Sequence, residues 1–208
     1  MLQSGALHGS FIVKNPTSTY TKNRIVFAIA QKVRTPLDFI KEKLGIGTVT
    51  FETRNNIFRY EVNRLNEIPI LINLFNGNLV LSKVFKRFQI WVDNYNQVAK
   101  TASQEAKNAK TINVLLDQKQ VSLSNCWLSE FAQADGGFNV SLRRNEKSKF
   151  GHWLQFKIYF TQKDEENFLS ELAVLIRNED PTNEERKPLK VYVLKKKENT
   201  FRVDFTKH

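Results

Sequence analysis

Trp127-Leu128-Ser129-Glu130-Phe131-Ala132-Gln133-Ala134-Asp135-Gly136-Gly137-Phe138 is the stretch whose reading decides the fold. Leu128, Phe131, Ala132 and Asp135 recur at helical spacing, and the paired glycines stop the helix before a strand opens at Phe138. Ser129, Ala132 and Ala134 are small enough to let a second helix approach backbone to backbone. Asp135 is the odd member, because a carboxylate at a helix C-terminus faces the negative end of the dipole. A bound cation would remove that conflict. The plainer alternative is a small-residue packing helix with a solvated Asp at its end.

A worn copy of the same stretch opens the chain. Aligning Gly9-Ser10-Phe11 with Gly136-Gly137-Phe138, an offset of 136 − 9 = 127, places His8 opposite Asp135. Each copy leads into the same order of elements: strand, strand, helix, strand, strand. In the first half the strands fall at 11–14 and 24–31, with Ile25, Phe27 and Ile29 on one face. A helix at 35–44 comes after them, with Thr35 as N-cap and Pro36 at the first helical position. Strands at 48–53 and 57–63 come next, then an apolar helix at 68–75. A longer helix at 79–100 buries Val80, Val84, Phe88, Trp91 and Tyr95.

Residues 101–110 are polar, rich in Ala and Lys, and hold no large apolar anchor, as a linker would. The second half gives strands at 138–144, 153–161, 189–194 and 200–206. Its helix at 164–177 uses Phe168, Leu169, Leu172 and Leu175. Two further matches tie the halves together: Phe58-Arg59 with Phe201-Arg202 at an offset of 201 − 58 = 143, and Gln31-Lys32 with Gln162-Lys163 at 162 − 31 = 131. The offset grows as loops lengthen, which is duplication with insertions and not a strict repeat period. The first half continues into 68–100 while the second stops at His208, so closing helices for the second half are expected to be missing or to lie outside this chain.

The expected fold is therefore α+β: two pseudo-symmetric αββαββ(α) repeats, each an antiparallel, saddle-shaped sheet with helices packed on one face. The first repeat spans 1–100 with its degenerate motif at 1–9. A linker spans 101–122, and the second repeat spans 123–208 with its motif at 128–136. In the second sheet Phe138, Val140 and Leu142 should point inward, as should Leu154, Phe156, Ile158 and Phe160, leaving the alternate residues on a polar face.

With 208 residues the chain can bury about two-thirds of its unfolded surface. Its net charge of +11 with only 25% charged residues reflects a shortage of acids, which favours a polyanionic partner. Sixteen Phe, five Tyr and three Trp exclude a disordered basic tail. Cys126 is the single cysteine, so it forms no internal disulfide and reads as a small buried hydrophobe more readily than as a reactive thiol. No apolar run approaches a membrane span and no cleavable signal is visible, from which a soluble protein with no membrane partner is expected. The plentiful Asn, Lys, Ile and Phe suit an AT-rich genome, which points to a mitochondrion or another organelle.

Twisted sheets with one polar, basic face can lie along a groove and present alternate side chains to base edges. Asn139, Ser141, Arg143, Gln155, Lys157 and Tyr159 are residues of the kinds that contact bases and phosphates. Lys14, Lys22, Arg24, Lys147, Lys149, Lys195, Lys196 and Lys197 lie near hairpin tips, where they would set position through phosphates.

The pattern at Leu128–Gly136 resembles the nine-residue signature helix of the LAGLIDADG homing endonucleases, and the resemblance extends over nearly the whole chain through the repeated element order. It implies two signature helices packed together, two sheets straddling duplex DNA, and metal-assisted hydrolysis of both strands. It makes Asp135 a ligand of Mg²⁺, gives Gln31 and Gln162 the polar positions that order water near the metals, and gives Lys83 the basic position that stabilises the cleavage transition state. Two departures bear on activity. His8 is a poor ligand for a hard cation, although a charged His suits a helix C-terminus, and the second half has no counterpart of Lys83. Double-strand cleavage is therefore expected to be lost or weakened, with at most a nick from the Asp135 half. The expected role is binding of structured RNA, as an intron maturase or beside other proteins in an organellar ribonucleoprotein, with no cofactor. The alternative is an active or split intron-encoded, site-specific DNA endonuclease using Mg²⁺.

Overall fold

Apolar alternation builds two sheets of identical topology. The computed structural model describes residues 9–19, 23–101, 110–117, 119–179 and 190–207, and the chain divides into two units, 1–119 and 120–208. The first unit runs β1 (Gly9–Lys14), β2 (Arg24–Gln31), α1 (Thr35–Leu44), β3 (Thr48–Glu52), β4 (Ile57–Val62), α2 (Ile68–Phe75) and α3 (Ser82–Lys100). The second runs α4 (Trp127–Asp135), β5 (Gly136–Arg144), β6 (His152–Lys163), α5 (Glu166–Asn178), β7 (Val191–Lys195) and β8 (Thr200–Lys207). The sheet orders are β1-β2-β4-β3 and β5-β6-β8-β7, antiparallel throughout. This is the α+β duplication expected from the repeated element order. His8, Lys22 and the rest of the worn first motif up to residue 8 lie outside the described residues.

Several local expectations shift. Thr35 is the first helical residue of α1 and not its cap; Arg34 precedes it without a side-chain cap bond, and Pro36 sits in the first turn. The long helix starts at Ser82, because Leu81 is extended, and the Leu79 carbonyl accepts the Lys119 N–H at 3.2 Å. Its buried stripe is Phe85, Phe88, Trp91, Val92, Tyr95 and Ala99, displacing Val80 and Val84, which are only partly covered. β5 begins at Gly136, directly on the end of α4. A Cβ on Gly136 would lie 2.5 Å from the Ala132 carbonyl oxygen, so glycine is what permits so abrupt a join. Cys126 is exposed, not buried, because it precedes α4 in a turn instead of occupying a helix face.

The largest difference concerns the second sheet. In the first unit, Ile25, Phe27 and Ile29 join Phe88, Trp91, Tyr95 and Leu71 in one core, with Phe11 and Val13 packed against it. The ring of Phe11 meets those of Phe75, Phe88 and Trp91 at 5.2–5.3 Å, so α2 and α3 cover this face of the sheet. By register Phe138 pairs with Ile158 as Phe11 pairs with Phe27, and Val140 pairs with Phe156 as Val13 pairs with Ile25. The equivalent face of the second sheet is nonetheless open: Phe138, Val140, Leu142, Leu154, Phe156 and Ile158 are exposed, against the expectation that they point into a core. Among the described residues no helix succeeds β8 as α2 and α3 succeed β4. Only the end of that face nearest α4 and α5 is closed, by Phe131, Phe160, Phe168, Leu169, Leu172 and Val203.

Residues 110–117, read from sequence as part of the linker, lie along α2 and α3, where Ile112 and Val114 pack on the first core. Two asparagines fix them. Asn96 accepts the Ile112 N–H through Oδ1 at 2.9 Å and donates Nδ2 to the Ile112 carbonyl at 2.9 Å. Asn76 accepts the Leu115 N–H at 2.8 Å and donates to the Asn113 carbonyl at 3.0 Å. A primary amide satisfies both backbone groups of an extended strand just as a neighbouring strand would. Asn96→Ala removes two such bonds and is expected to cost about 1–3 kcal/mol of local stability. In native-state hydrogen exchange the Ile112 amide should lose its protection, while Leu115 keeps more of its own through Asn76.

Candidate nucleic-acid interface and catalytic carboxylate

Asp135 ends α4, and the side chain of Gln162, near the end of β6, donates Nε2 to its Oδ2 at 2.9 Å. Gln162 is 4% exposed, so this bond is largely shielded from water. The amide donor offsets part of the unfavourable placement of a carboxylate at a helix C-terminus. The two residues come together because α4 runs straight into β5, and β5 pairs Gly136 with Phe160, two residues before Gln162. The other two residues implied for catalysis, Gln31 at the end of β2 and Lys83 in the first turn of α3, both belong to the first unit. Among the described residues no group of three or more His, Cys, Asp or Glu could hold a metal by itself. Mg²⁺ commonly takes one or two carboxylates and completes its shell with water and substrate phosphates, so Asp135 suits a one-carboxylate site shared with a phosphate.

The second sheet and its hairpins carry most of the residues expected to meet nucleic acid. Asn139 and Arg143 are exposed, and Arg143 donates Nε to Gln155 Oε1 at 3.2 Å. Ser141 differs from expectation: its hydroxyl oxygen is buried without a hydrogen-bond partner among the described residues and is not offered to a ligand as it stands. Lys147 and Lys149 stand exposed on the β5–β6 hairpin, the latter over the Phe150 ring. Lys196 and Lys197 are exposed in a 3-10 turn between β7 and β8, and Lys195 pairs with Glu198 at 3.3 Å. In the first unit Arg24 starts β2, and Lys14 lies 3.8 Å from Glu61.

The sequence reading missed the centre of the second sheet's polar face. Asp204 of β8 accepts the Lys157 ammonium at 2.6 Å and the Tyr192 hydroxyl at 2.9 Å on Oδ2, and Arg202 Nε at 2.7 Å on Oδ1. Burial alone would raise the Asp204 pKa, but the donors from Lys157, Arg202 and Tyr192 outweigh it and hold the carboxyl below its ordinary value. Tyr192 is pushed up, by burial first and then by this bond. The Arg202 guanidinium lies 3.6 Å from the centroid of the Tyr159 ring. Tyr159 in turn occupies the space that a side chain at Gly137 would need, since a Cβ there would fall 2.0 Å from its Cζ. A signal for the cluster was in the duplication: Arg59 and Arg202 share the offset of 143, and so do the acids two residues on, Glu61 and Asp204.

The described helices include none long and apolar enough to cross a membrane. A family model described as LAGLIDADG endonuclease matches residues 8–95, which is the first repeat as far as Tyr95 of α3. The signature stretch stands out more clearly in the second repeat, but the first has the complete set of closing helices. A probable intron-encoded endonuclease 4 from Neurospora crassa is 28% identical over 141 residues, which is 67% of this chain and 24% of that protein. The chain thus matches only about a quarter of that relative's length. Among solved structures, the meganuclease I-AabMI bound to uncleaved DNA superposes with a TM-score of 0.58 at 21% identity, covering 96% of this chain and 74% of that one. I-SmaMI bound to an uncleaved DNA target in the presence of calcium ions gives 0.56 at 16% identity, covering 97% and 76%. The duplicated four-stranded sheets, the carboxylate closing the signature helix and these matches agree: residues 8–95 match the LAGLIDADG endonuclease family, and the whole chain has the fold of the LAGLIDADG meganucleases.

Proposed function

We propose that this chain binds duplex DNA through the polar faces of its two sheets and carries one competent catalytic carboxylate, Asp135, so that it cuts one strand at most. The observation that carries this is the Gln162–Asp135 hydrogen bond of 2.9 Å, a shielded and oriented carboxylate in the second repeat, set against a histidine at the matching place in the first. The DNA-bound state of the solved relatives supports duplex DNA as the partner. The AT-rich residue usage and the intron-encoded relative support an organellar origin, a mitochondrion among the candidates.

Asp135 would hold a divalent cation together with phosphate oxygens, and that ion supplies charge neutralisation at the scissile phosphate and a more acidic bound water. Gln162 fixes the orientation of the carboxylate through its amide N–H, and its carbonyl oxygen can accept a hydrogen bond from a water near the phosphate. Lysines at the strand ends hold the backbone in register, and the sheet side chains meet base edges. His8 brings no carboxylate oxygen to the first repeat, which leaves the second strand without an equivalent site.

The test is incubation of the full chain with Mg²⁺ and duplex DNA selected by its own binding from a random pool. Single-strand nicks are expected, and Asp135→Asn should lower the nicking rate by about 10²-fold or more while the dissociation constant stays within a few-fold. Efficient double-strand breaks would overturn the one-strand assignment. The same basic faces would suit a structured RNA, in the manner of a maturase or a ribonucleoprotein subunit. An RNA that co-purifies, survives DNase and outcompetes the selected duplex would move the reading to that class.

A further inference from the structure

Asp204 places a carboxylate in the middle of a face that otherwise favours phosphate, and its three donors explain why it can be there. With Lys157 and Tyr192 on one oxygen and Arg202 on the other, the acid presents little unsatisfied negative charge to a polyanion. What it does is hold Arg202. The contact uses Nε, the inner nitrogen of the guanidinium, and leaves both terminal nitrogens for something else. The group is held from a second side as well, because its Cζ lies 3.6 Å from the Tyr159 centroid. Tyr159 can rest there because Gly137, its partner across the β5–β6 ladder, has no side chain.

We propose that Arg202 reads a guanine, its two terminal nitrogens donating to O6 and N7 on the major-groove edge, and that Asp204, Tyr159 and Gly137 are the positioning residues that hold its guanidinium ready. This rests on the duplex-DNA reading above. A bidentate arginine matches that edge and no other base edge in the major groove. Fixing the side chain beforehand removes much of the ordering cost that a free arginine bears on binding. The first repeat offers an internal contrast. Arg59 holds the equivalent place but stands 3.6 Å from Glu61 and 3.8 Å from Glu52, longer than hydrogen bonds. Ala28 stands opposite Glu61 where Tyr159 stands opposite Asp204, so the position equivalent to Tyr159 offers Arg59 no ring. Guanine discrimination of this kind therefore belongs to the half-site met by the second repeat.

The test selects targets for the full chain from a randomised duplex pool and reads base preference position by position, for the wild type, Arg202→Lys, Asp204→Asn and Gly137→Ala. The wild type should prefer guanine at one position by roughly 5- to 100-fold. Arg202→Lys keeps the charge and should erase that preference alone, leaving the other positions and the affinity for random duplex within about twofold. Asp204→Asn and Gly137→Ala should weaken the same position, and in the wild type 7-deazaguanine there should mimic the loss. A general weakening at every position, with a lowered melting temperature, would mark a merely structural role and overturn the assignment. So would an unchanged preference in Arg202→Lys, a result that leaves DNA binding itself standing. If the wild type selects no duplex at all, the underlying DNA reading fails along with it.

Discussion

Trp91→Ala is expected to destabilise the first unit by about 3–5 kcal/mol, a large share of what holds a domain of this size together. Trp91 is fully buried, contacts Phe11 and Phe88, and donates its indole N–H to the Val26 carbonyl of β2 at 3.0 Å. Its loss leaves a cavity between α3 and the sheet and takes a partner from a buried backbone carbonyl. Trp91→Phe should fall between the two, since it restores much of the volume but not the donor. The second unit supplies the contrast. Phe138, equivalent to Phe11, is 68% exposed, so Phe138→Ala should change stability by no more than about 0.5 kcal/mol. Urea or thermal melts of the two variants against wild type measure both effects. A Phe138→Ala variant as damaged as Trp91→Ala would mean that the apolar face of the second sheet is covered in solution.

That contrast also marks what the sequence can and cannot tell. Alternation along residues 138–144 and 154–160 correctly divides the strand residues between two faces, because the pleat makes that a local property. Whether the apolar face is buried depends on elements far away in sequence, and here the covering pair present in the first unit has no counterpart among the described residues of the second. The carboxylate–amide pair shows the opposite case. Asp135 and Gln162 were both named from sequence, and their meeting results from a helix that runs into a strand and from the pairing of that strand with β6. Asp204 escaped because one acid among many basic residues reads as an ordinary surface charge. Only its three partners, brought from β6, β7 and β8, give it meaning. The clamps at Asn76 and Asn96 were hidden for a similar reason, since an asparagine that imitates a strand leaves no periodic trace.

Affinity for duplex DNA is expected to fall by about 10³- to 10⁵-fold between 50 and 200 mM salt, as for a protein that neutralises six to ten phosphates. The charge that drives this is unevenly shared. Residues 1–119 hold 17 Lys and Arg against 8 Asp and Glu, or +9, and residues 120–208 hold 15 against 13, or +2, which together give the +11 of the whole chain. Sequence-independent attraction should therefore come mostly from the first unit. Within the second, exposure alone does not decide which lysines contribute. Lys147, Lys149, Lys196 and Lys197 form no ion pair with any described acid, whereas Lys157 is bound to Asp204 and Lys195 to Glu198. Replacing Lys147 and Lys149 together by alanine should reduce the slope of log K against log salt by about two, equally for all DNA sequences. Lys157→Ala should reduce it by much less than one, because its charge is already met within the sheet, and should instead blur base preference by loosening Asp204. Titrations over a salt series on selected and random duplexes separate these effects. Equal slope changes for Lys157 and Lys147 would show that DNA draws Lys157 away from Asp204, in which case the cluster is rebuilt on binding instead of standing ready for it.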